Sequence, residues 1–378
     1  MSPGGCRRCL RRSWLLAALG GHLERAHRHP DRLMRALALT DGELLALASA
    51  SRRGALAEQY ASFDERGWRE RCRQAGLELV CRHEAGYPAG CRDLASAPAA
   101  LHAAGGLERM SAALSQPTVA IVGSRGPSDY GRDVAHALAR GLAAAGVTVV
   151  SGLAYGIDAA AHAGAIAGRG ATIAVLAGGA EVAYPARHRA LYEQVLGSGG
   201  TISEMPAGSR AFRWCFLARN RVIAALAGAV IVVEARTSSG SLLTARLARE
   251  LGRPVGAVPG RVTASLAAGP LQMLRTGARV VRHVHDALEL VCGPGLHGAP
   301  GLAADARTTG VEASRAPPPT DLDAELRALL ESISDGEDTP ERLVTAGHEA
   351  EEVSRGLGEL ELLGYVRRSL DGSYVVVP

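Results

Sequence analysis

Three short stretches of this chain combine residue types that handle anions. The first is Gly123-Ser124-Arg125-Gly126-Pro127-Ser128-Asp129-Tyr130-Gly131, which follows the apolar run Val119-Ala120-Ile121-Val122 and precedes a helical pattern. Small residues at such a junction let backbone N–H groups approach a phosphate at a helix N-terminus. The spacing is neither GxGxxG nor GxxxxGK(S/T), so the loop suits an anion without specifying a dinucleotide or a triphosphate. Arg125 sets a guanidinium beside those amides; the plain competing reading is a Gly-rich structural turn. The second stretch, Ser151-Gly152-Leu153-Ala154-Tyr155-Gly156-Ile157-Asp158 followed by His162, repeats the strand-to-helix arrangement. Asp158 near the helix start favours the dipole or holds Arg125. A lone Asp and His make no acid–base pair, and His162 reads as structural. The third stretch interleaves Arg213, Arg219, Asn220 and Arg221 with Phe212, Trp214 and Phe216, in a chain with three Phe and three Trp in all. Guanidinium forks beside aromatic faces suit a single strand, whose phosphates find cations and whose bases find stacking platforms. Trp214 is the expected exposed stacker; buried aromatics with solvated arginines are the competing reading.

The elements that must position these residues follow from periodicity. Short β-branched runs at 119–122, 147–150, 172–176, 201–203, 230–233 and 254–258 alternate with Ala-rich helical stretches. That pattern means buried parallel strands in a βαβ sheet, whose ligands bind at the carboxyl ends of the strands. Upstream, residues 1–75 read as a helical module, with Leu15, Leu16, Leu19 and Leu23 at helical spacing and Thr40 with Glu43 as a capping box. Leu33, Leu37, Leu44, Leu45 and Leu47 are candidate core positions. Residues 76–292 form the extended Rossmann-like core. Residues 293–320, with Gly293-Pro294-Gly295 and Pro317-Pro318-Pro319, read as a linker. Residues 321–378 read as three helices and a β-hairpin, a winged-helix pattern, with Val353, Leu357, Leu360 and Leu363 as the apolar face of its third helix. The expected fold class is therefore α/β: a Rossmann-like, mostly parallel sheet with an N-terminal helical module and a C-terminal winged-helix domain.

Composition narrows the function classes. With 378 residues and 47% apolar content, two or three domains with a sizeable core are expected. All 42 basic residues are Arg, so every basic phosphate contact must use a planar fork. The net charge of +4 is only mildly basic. The seven Cys are irregularly spaced, which implies no disulfide framework and fits a reducing cytoplasm. Cys6 and Cys9 form one CxxC, but a zinc site needs four ligands and no second CxxC or HxxxH exists, so no metal is expected. The N-terminal arginines and the short run Trp14–Leu19 imitate a signal peptide without a cleavage signal, and no segment is long enough to span a bilayer.

Taken together, the motifs resemble the DNA-processing protein A family, also called Smf. The matching stretches are VAIVGSR at 119–125, SGLAYGID at 151–158, TIAVLAGG at 172–179 with Tyr184-Pro185, FLARNRVIAAL at 216–226, EARTSSGSLLTA at 234–245 and GRPVGAVPG at 252–260. The resemblance implies single-stranded DNA binding, homodimerisation, protection of incoming DNA and loading of the RecA recombinase in natural transformation or recombination. It implies no cofactor, no membrane and no catalytic residue. By position it assigns DNA contact to Gly123, Ser124 and Arg125, to Ser151, Gly152, Tyr155 and Gly156, and to Arg187 and Arg189 after Tyr184-Pro185. It adds Arg213, Trp214, Phe216, the Arg219-Asn220-Arg221 triplet, and Ser239, Gly240 and Ser241. Three departures stand out: Tyr155 where a basic residue is common, Leu217 where Pro is usual, and Ala267–Leu271 without the usual Asn.

An enzyme is the competing class, since similar Rossmann-like folds process nucleotides. The phosphoribohydrolase-like signature PGGxGTxxE is absent, and Glu234 is the only candidate general base. A transcription regulator would need a base-reading third helix, but Glu349, Glu351, Glu352, Glu359 and Glu361 make that region acidic and repel a duplex.

Overall fold

The computed structural model describes residues 4–293, 322–334, 337–363, 365–368 and 372–376. The chain divides into two compact units, residues 1–309 and 310–378. Most of the proline- and glycine-rich stretch at 293–320 lies outside the described residues.

The larger unit is built on a nine-stranded sheet. In chain order its strands are β1 (Glu78–Cys81), β2 (Ala100–Ala104), β3 (Thr118–Val122), β4 (Thr148–Ser151), β5 (Thr172–Val175), β6 (Thr201–Ser203), β7 (Ala229–Val232), β8 (Val255–Ala257) and β9 (Arg279–Val280). Across the sheet the order is β1-β2-β6-β5-β4-β3-β7-β8-β9. The seven strands from β6 to β9 run parallel, while β1 and β2 pair antiparallel. The six apolar runs each become one of the parallel strands. The sequence reading did not anticipate β1, β2 or β9: Ala100-Leu101-His102-Ala103-Ala104 has little β-branching, and only burial on both faces makes it a strand.

Period-two alternation sorts the strand residues onto two faces. Val119 and Ile121 face a cluster built with α2 (Asp129–Ala144), α3 (Ile157–Ala167) and, late in the chain, the helix Val284–Cys292. Ala120 and Val122 face a cluster built with α4 (Arg213–Leu226) and α5 (Gly240–Glu250). The sheet is thus a doubly covered layer, which is why its strands carry no polar alternation.

The N-terminal helices pack onto this body. The helix Arg7–Ala18, here αN, presents Leu15 and Leu16, and with Leu19, Leu23, Leu33, Leu37 and Leu44 they bury against Trp214, Cys215 and Ala218 of α4. Leu45 is only partly buried and Leu47 stays 45% exposed, at the edge of the expected apolar face. The capping box forms as read: Thr40 accepts from Glu43 N–H, and the Glu43 carboxylate accepts from Thr40 N–H at 2.8 Å.

The smaller unit holds the helices Ala324–Ser334, Pro340–Thr345 and Ala350–Leu362 and an antiparallel pair, Val366–Arg368 with Tyr374–Val376. Val353, Leu357 and Leu360 are buried in its core, whereas Leu363 is 54% exposed. The turn residues Leu370 and Asp371 lie outside the described residues. Among the described residues no helix is long and apolar enough to cross a membrane.

Candidate nucleic-acid interface

From β3 the chain steps outward through β4, β5 and β6 on one side, and β7 begins the other side. The strand order therefore reverses between β3 and β7, and a crevice opens at their carboxyl ends. A cleft of about 320 Å³ lies there, walled by Gly123, Ser124 and Arg125 after β3, Asp158 of α3, Phe216, Arg219 and Asn220 of α4, and Arg236, Ser239, Gly240 and Ser241 after β7. Three of the stretches singled out by residue type thus converge on one crevice, although about 100 residues separate the first from the last.

Helix starts surround the cleft. Ser128 caps α2 by accepting from Gly131 N–H, and Ser239 caps α5 by accepting from Ser241 N–H. The start of α3 has no side-chain cap; Gly156 stands there with φ +79°, a conformation that favours glycine. Gly152 serves a different need. A Cβ on it would lie 1.4 Å from the Arg219 guanidinium, so glycine lets that side chain pass behind the loop.

Arg219 sits at the bottom of the cleft. Its guanidinium donates to Val175 O at 2.9 Å and lies 3.6 Å from the Asp158 carboxylate. Burial lowers its pKa, Asp158 opposes that shift, and the nearby Arg125 charge adds to it. Its Nε is buried without a hydrogen-bond partner. Arg125 does not pair with Asp158, which is engaged by Arg219; instead its guanidinium lies 5.0 Å from the centroid of the half-buried Phe216 ring, a cation–π arrangement. Tyr184, 52% exposed, extends this rim at 5.5 Å from Phe216. Tyr155, 42% exposed, leans edge-on against His188 at 4.8 Å. Asn220 donates to Gly240 O at 3.1 Å and ties α4 to the serine loop.

Several predicted contact residues are placed elsewhere. Trp214 is fully buried, and its indole N–H donates to Gly20 O at 3.0 Å, so it is no stacking platform. The N-terminal helices cover it; sequence alone could not tell which side of α4 they occupy. Arg221 is also internal: it holds Glu204 through two bonds of 2.8 and 2.9 Å and donates to Ser96 Oγ at 3.0 Å. Ser151 is buried and donates to Ile121 O at 2.7 Å. Arg187, Arg189 and Arg213 are exposed but do not wall the cleft; Arg189 reaches toward Glu193 and Arg213 toward Glu24, each at 3.9 Å. Conversely, Arg236 and His188 were not singled out by sequence, and Tyr184 served there only as a landmark of the resemblance. Arg236 had a signal, its place three residues before Ser239, which caps α5.

The acid–base candidates are engaged structurally. The Glu234 carboxylate accepts from Ser128 N–H at 2.8 Å and from Ser128 Oγ at 2.5 Å, bracing the first loop rather than walling the cleft. His162 is fully buried against Thr172 at 2.7 Å, and burial lowers its pKa to about 3, so it is neutral.

Comparison with known proteins fits this geometry. The family model described as DNA recombination-mediator protein A matches residues 78–292. A Mycobacterium tuberculosis protein named for DNA processing, DprA, is 51% identical over 172 residues, which span 46% of this chain and 44% of that protein. The match thus reaches less than half the length of that relative. The crystal structure of DNA processing protein A from Streptococcus pneumoniae is similar with a TM-score of 0.58 and 33% identity, covering 66% of this chain and 86% of the other. A second similar structure, DNA processing protein A from Helicobacter pylori, was described for its single-stranded DNA binding mode; its TM-score is 0.51 at 28% identity, over 56% of this chain and 94% of that one. The matched region holds the whole cleft, from the GSR loop to the serine loop, and the chain belongs to the DNA recombination-mediator protein A family.

Proposed function

We propose that this chain binds single-stranded DNA through the crevice at the carboxyl ends of β3, β4 and β7. The observation that carries the reading is the pair of arginines at one cleft: Arg219, a buried guanidinium at its floor, and Arg125, which stands over Phe216 at its rim. A phosphate oxygen there makes a charge-assisted contact with the exposed Arg125 guanidinium, with the Arg219 charge behind it. Around it, helix starts supply partial positive charge, and Phe216, Tyr184 and Tyr155 supply faces for unstacked bases. A duplex keeps its bases stacked inside and gains nothing from those rings. The likeness to the Helicobacter pylori protein supports the same ligand class.

In this reading the protein works in the cytoplasm as a homodimer, protects incoming single strands and loads RecA recombinase onto them during transformation or recombination. It acts by binding, not by catalysis, because Glu234 is spent on Ser128 and, among the described residues, no acid–base pair lines the cleft. The three-helix and hairpin unit is read as a winged helix that contacts protein, since Glu349, Glu351, Glu352, Glu359 and Glu361 give its third helix a face that repels phosphate. Fluorescence anisotropy with single-stranded and duplex oligonucleotides of matched length tests the proposal. Tighter binding of the single strand is expected; equal affinity for the two contradicts it.

A further inference from the structure

The fold completes a ligand set that the sequence showed only in half. Cys6 stands just before αN and Cys9 lies in its first turn, while Cys81 ends β1 and His83 follows two residues later. In the folded chain the three sulfurs and one imidazole nitrogen lie within 4.8 Å of one another. His83 Nδ1 is 3.3 Å from Cys6 Sγ, 3.4 Å from Cys9 Sγ and 4.0 Å from Cys81 Sγ. A tetrahedron with metal–sulfur bonds of about 2.3 Å and a metal–nitrogen bond of about 2.0 Å separates its ligand atoms by about 3.5–3.8 Å. The observed spacings bracket that value. We propose that Cys6, Cys9, Cys81 and His83 bind a structural zinc ion.

The surroundings favour a metal over four unrelated side chains. The backbone N–H of Cys6 points at Cys81 Sγ at 3.4 Å, the kind of N–H···S bond that steadies a metal-bound thiolate. The Glu84 carboxylate accepts from Gly5 N–H at 2.8 Å and from Cys81 N–H at 2.6 Å, so it locks together the two arms that carry the ligands. Arg69 donates to Gly4 O at 2.9 Å and also to Gly5 O, fixing the first arm from the far side. The start of αN turns its helix dipole toward the cluster, which favours anionic sulfur. All seven cysteines are free thiols. Three thiolates and an imidazole are a soft, four-coordinate donor set that leaves no open position, which selects zinc in a structural role. Its work is positional. Among the described residues β1 is an edge strand that pairs only with β2, and the ion ties that edge to the helix start more than 70 residues earlier.

The test uses the full chain purified from zinc-supplemented cells and dialysed against metal-free buffer. Elemental analysis should find one zinc per chain. Replacement by cobalt(II) should give thiolate charge-transfer absorption and the intense visible bands of a tetrahedral site. Cys9→Ser and Cys81→Ser should lose the ion, and Cys292→Ser should keep it. His83→Ala and His83→Cys guard against misfolding, because His83 is exposed. The first should surrender zinc to a chelator that the wild-type chain withstands, and the second should retain it as a four-thiolate site. Chelation should also lower the melting temperature of the wild-type chain and leave that of Cys9→Ser unchanged. A wild-type chain without zinc, a Cys6–Cys9 disulfide in its place, or equal zinc in wild type and Cys9→Ser would overturn the proposal.

Discussion

At the scale of single residues, the two aromatic side chains at the start of α4 have opposite roles although only one residue separates them. Trp214 fills the seam between α4 and the N-terminal helices, with its indole N–H bonded to Gly20 O. Phe216 lies at the cleft between Arg125 and Tyr184. Trp214→Ala should therefore cost about 3–5 kcal/mol of stability by opening a cavity, and leave the affinity of the folded protein for single strands unchanged. Phe216→Ala should change stability less and weaken binding by about 1–3 kcal/mol, the worth of one stacked base. Urea melts and anisotropy on both variants check this; equal losses of affinity would contradict it. The same contrast shows what was legible. Residue types marked segments that meet in the fold, and Arg219, Asn220 and Arg125 line the cleft. Sequence did not separate Arg219 from Arg221, because the difference is geometric: two positions along a helix turn one guanidinium toward Val175 and Asp158 and the other toward Glu204 and Ser96.

At the scale of elements, the parallel strands were readable because continuous β-branched runs leave few other options. The antiparallel pair β1–β2 was not, since the alanines and histidine of β2 signal neither strand nor face. His102 on β2 and His162 on α3 carry a measurable consequence. The Thr172 hydroxyl donates to Val149 O at 2.9 Å, so His162 Nδ1–H donates to Thr172 and its Nε2 is bare. Burial lowers the pKa of His102 to about 4 and of His162 to about 3. In the unfolded chain both titrate near about 6.5. The folded state thus binds fewer protons below that pH. The stability from keeping each ring neutral is fully present above about 6.5 and is lost as pH falls toward the folded values, by up to about 1.4 kcal/mol per pH unit for each histidine. Urea midpoints should fall between about pH 6.5 and pH 4.5, less steeply in His162→Gln than in the wild-type chain. Identical slopes would contradict the assignment. The CxxC shows the limit of reading local spacing: Cys6 and Cys9 lacked partners in sequence because Cys81 and His83 reach them only when αN packs beside β1.

At the scale of the whole molecule, the sheet collects distant loops into one crevice where its strand order reverses. In the proposed reading a mild net charge of +4 suffices for a nucleic-acid ligand, since Arg125, Arg219 and Arg236 share the cleft with one carboxylate, Asp158. Glycine at 152, the Glu234 brace and the Asn220 tie hold the loops before any ligand arrives, so little ordering cost remains. In the proposed function this preformed cleft grips the phosphates of a single strand, and Arg125 is the arginine whose removal reads that grip most directly. It is exposed, stands over Phe216 and leaves Asp158 to Arg219, so removing it should spare the fold. The measurement is the affinity of wild type and Arg125→Ala for one single-stranded oligonucleotide across a salt series, with the melting temperature of each. Binding should weaken by roughly tenfold to a hundredfold, as the loss of a charge-assisted contact of about 1.5–3 kcal/mol requires. The log–log salt slope should shrink by about 0.7, one phosphate contact, with the melting temperature unchanged. An unchanged affinity and slope, or a lower melting temperature with no change in slope, would contradict the account.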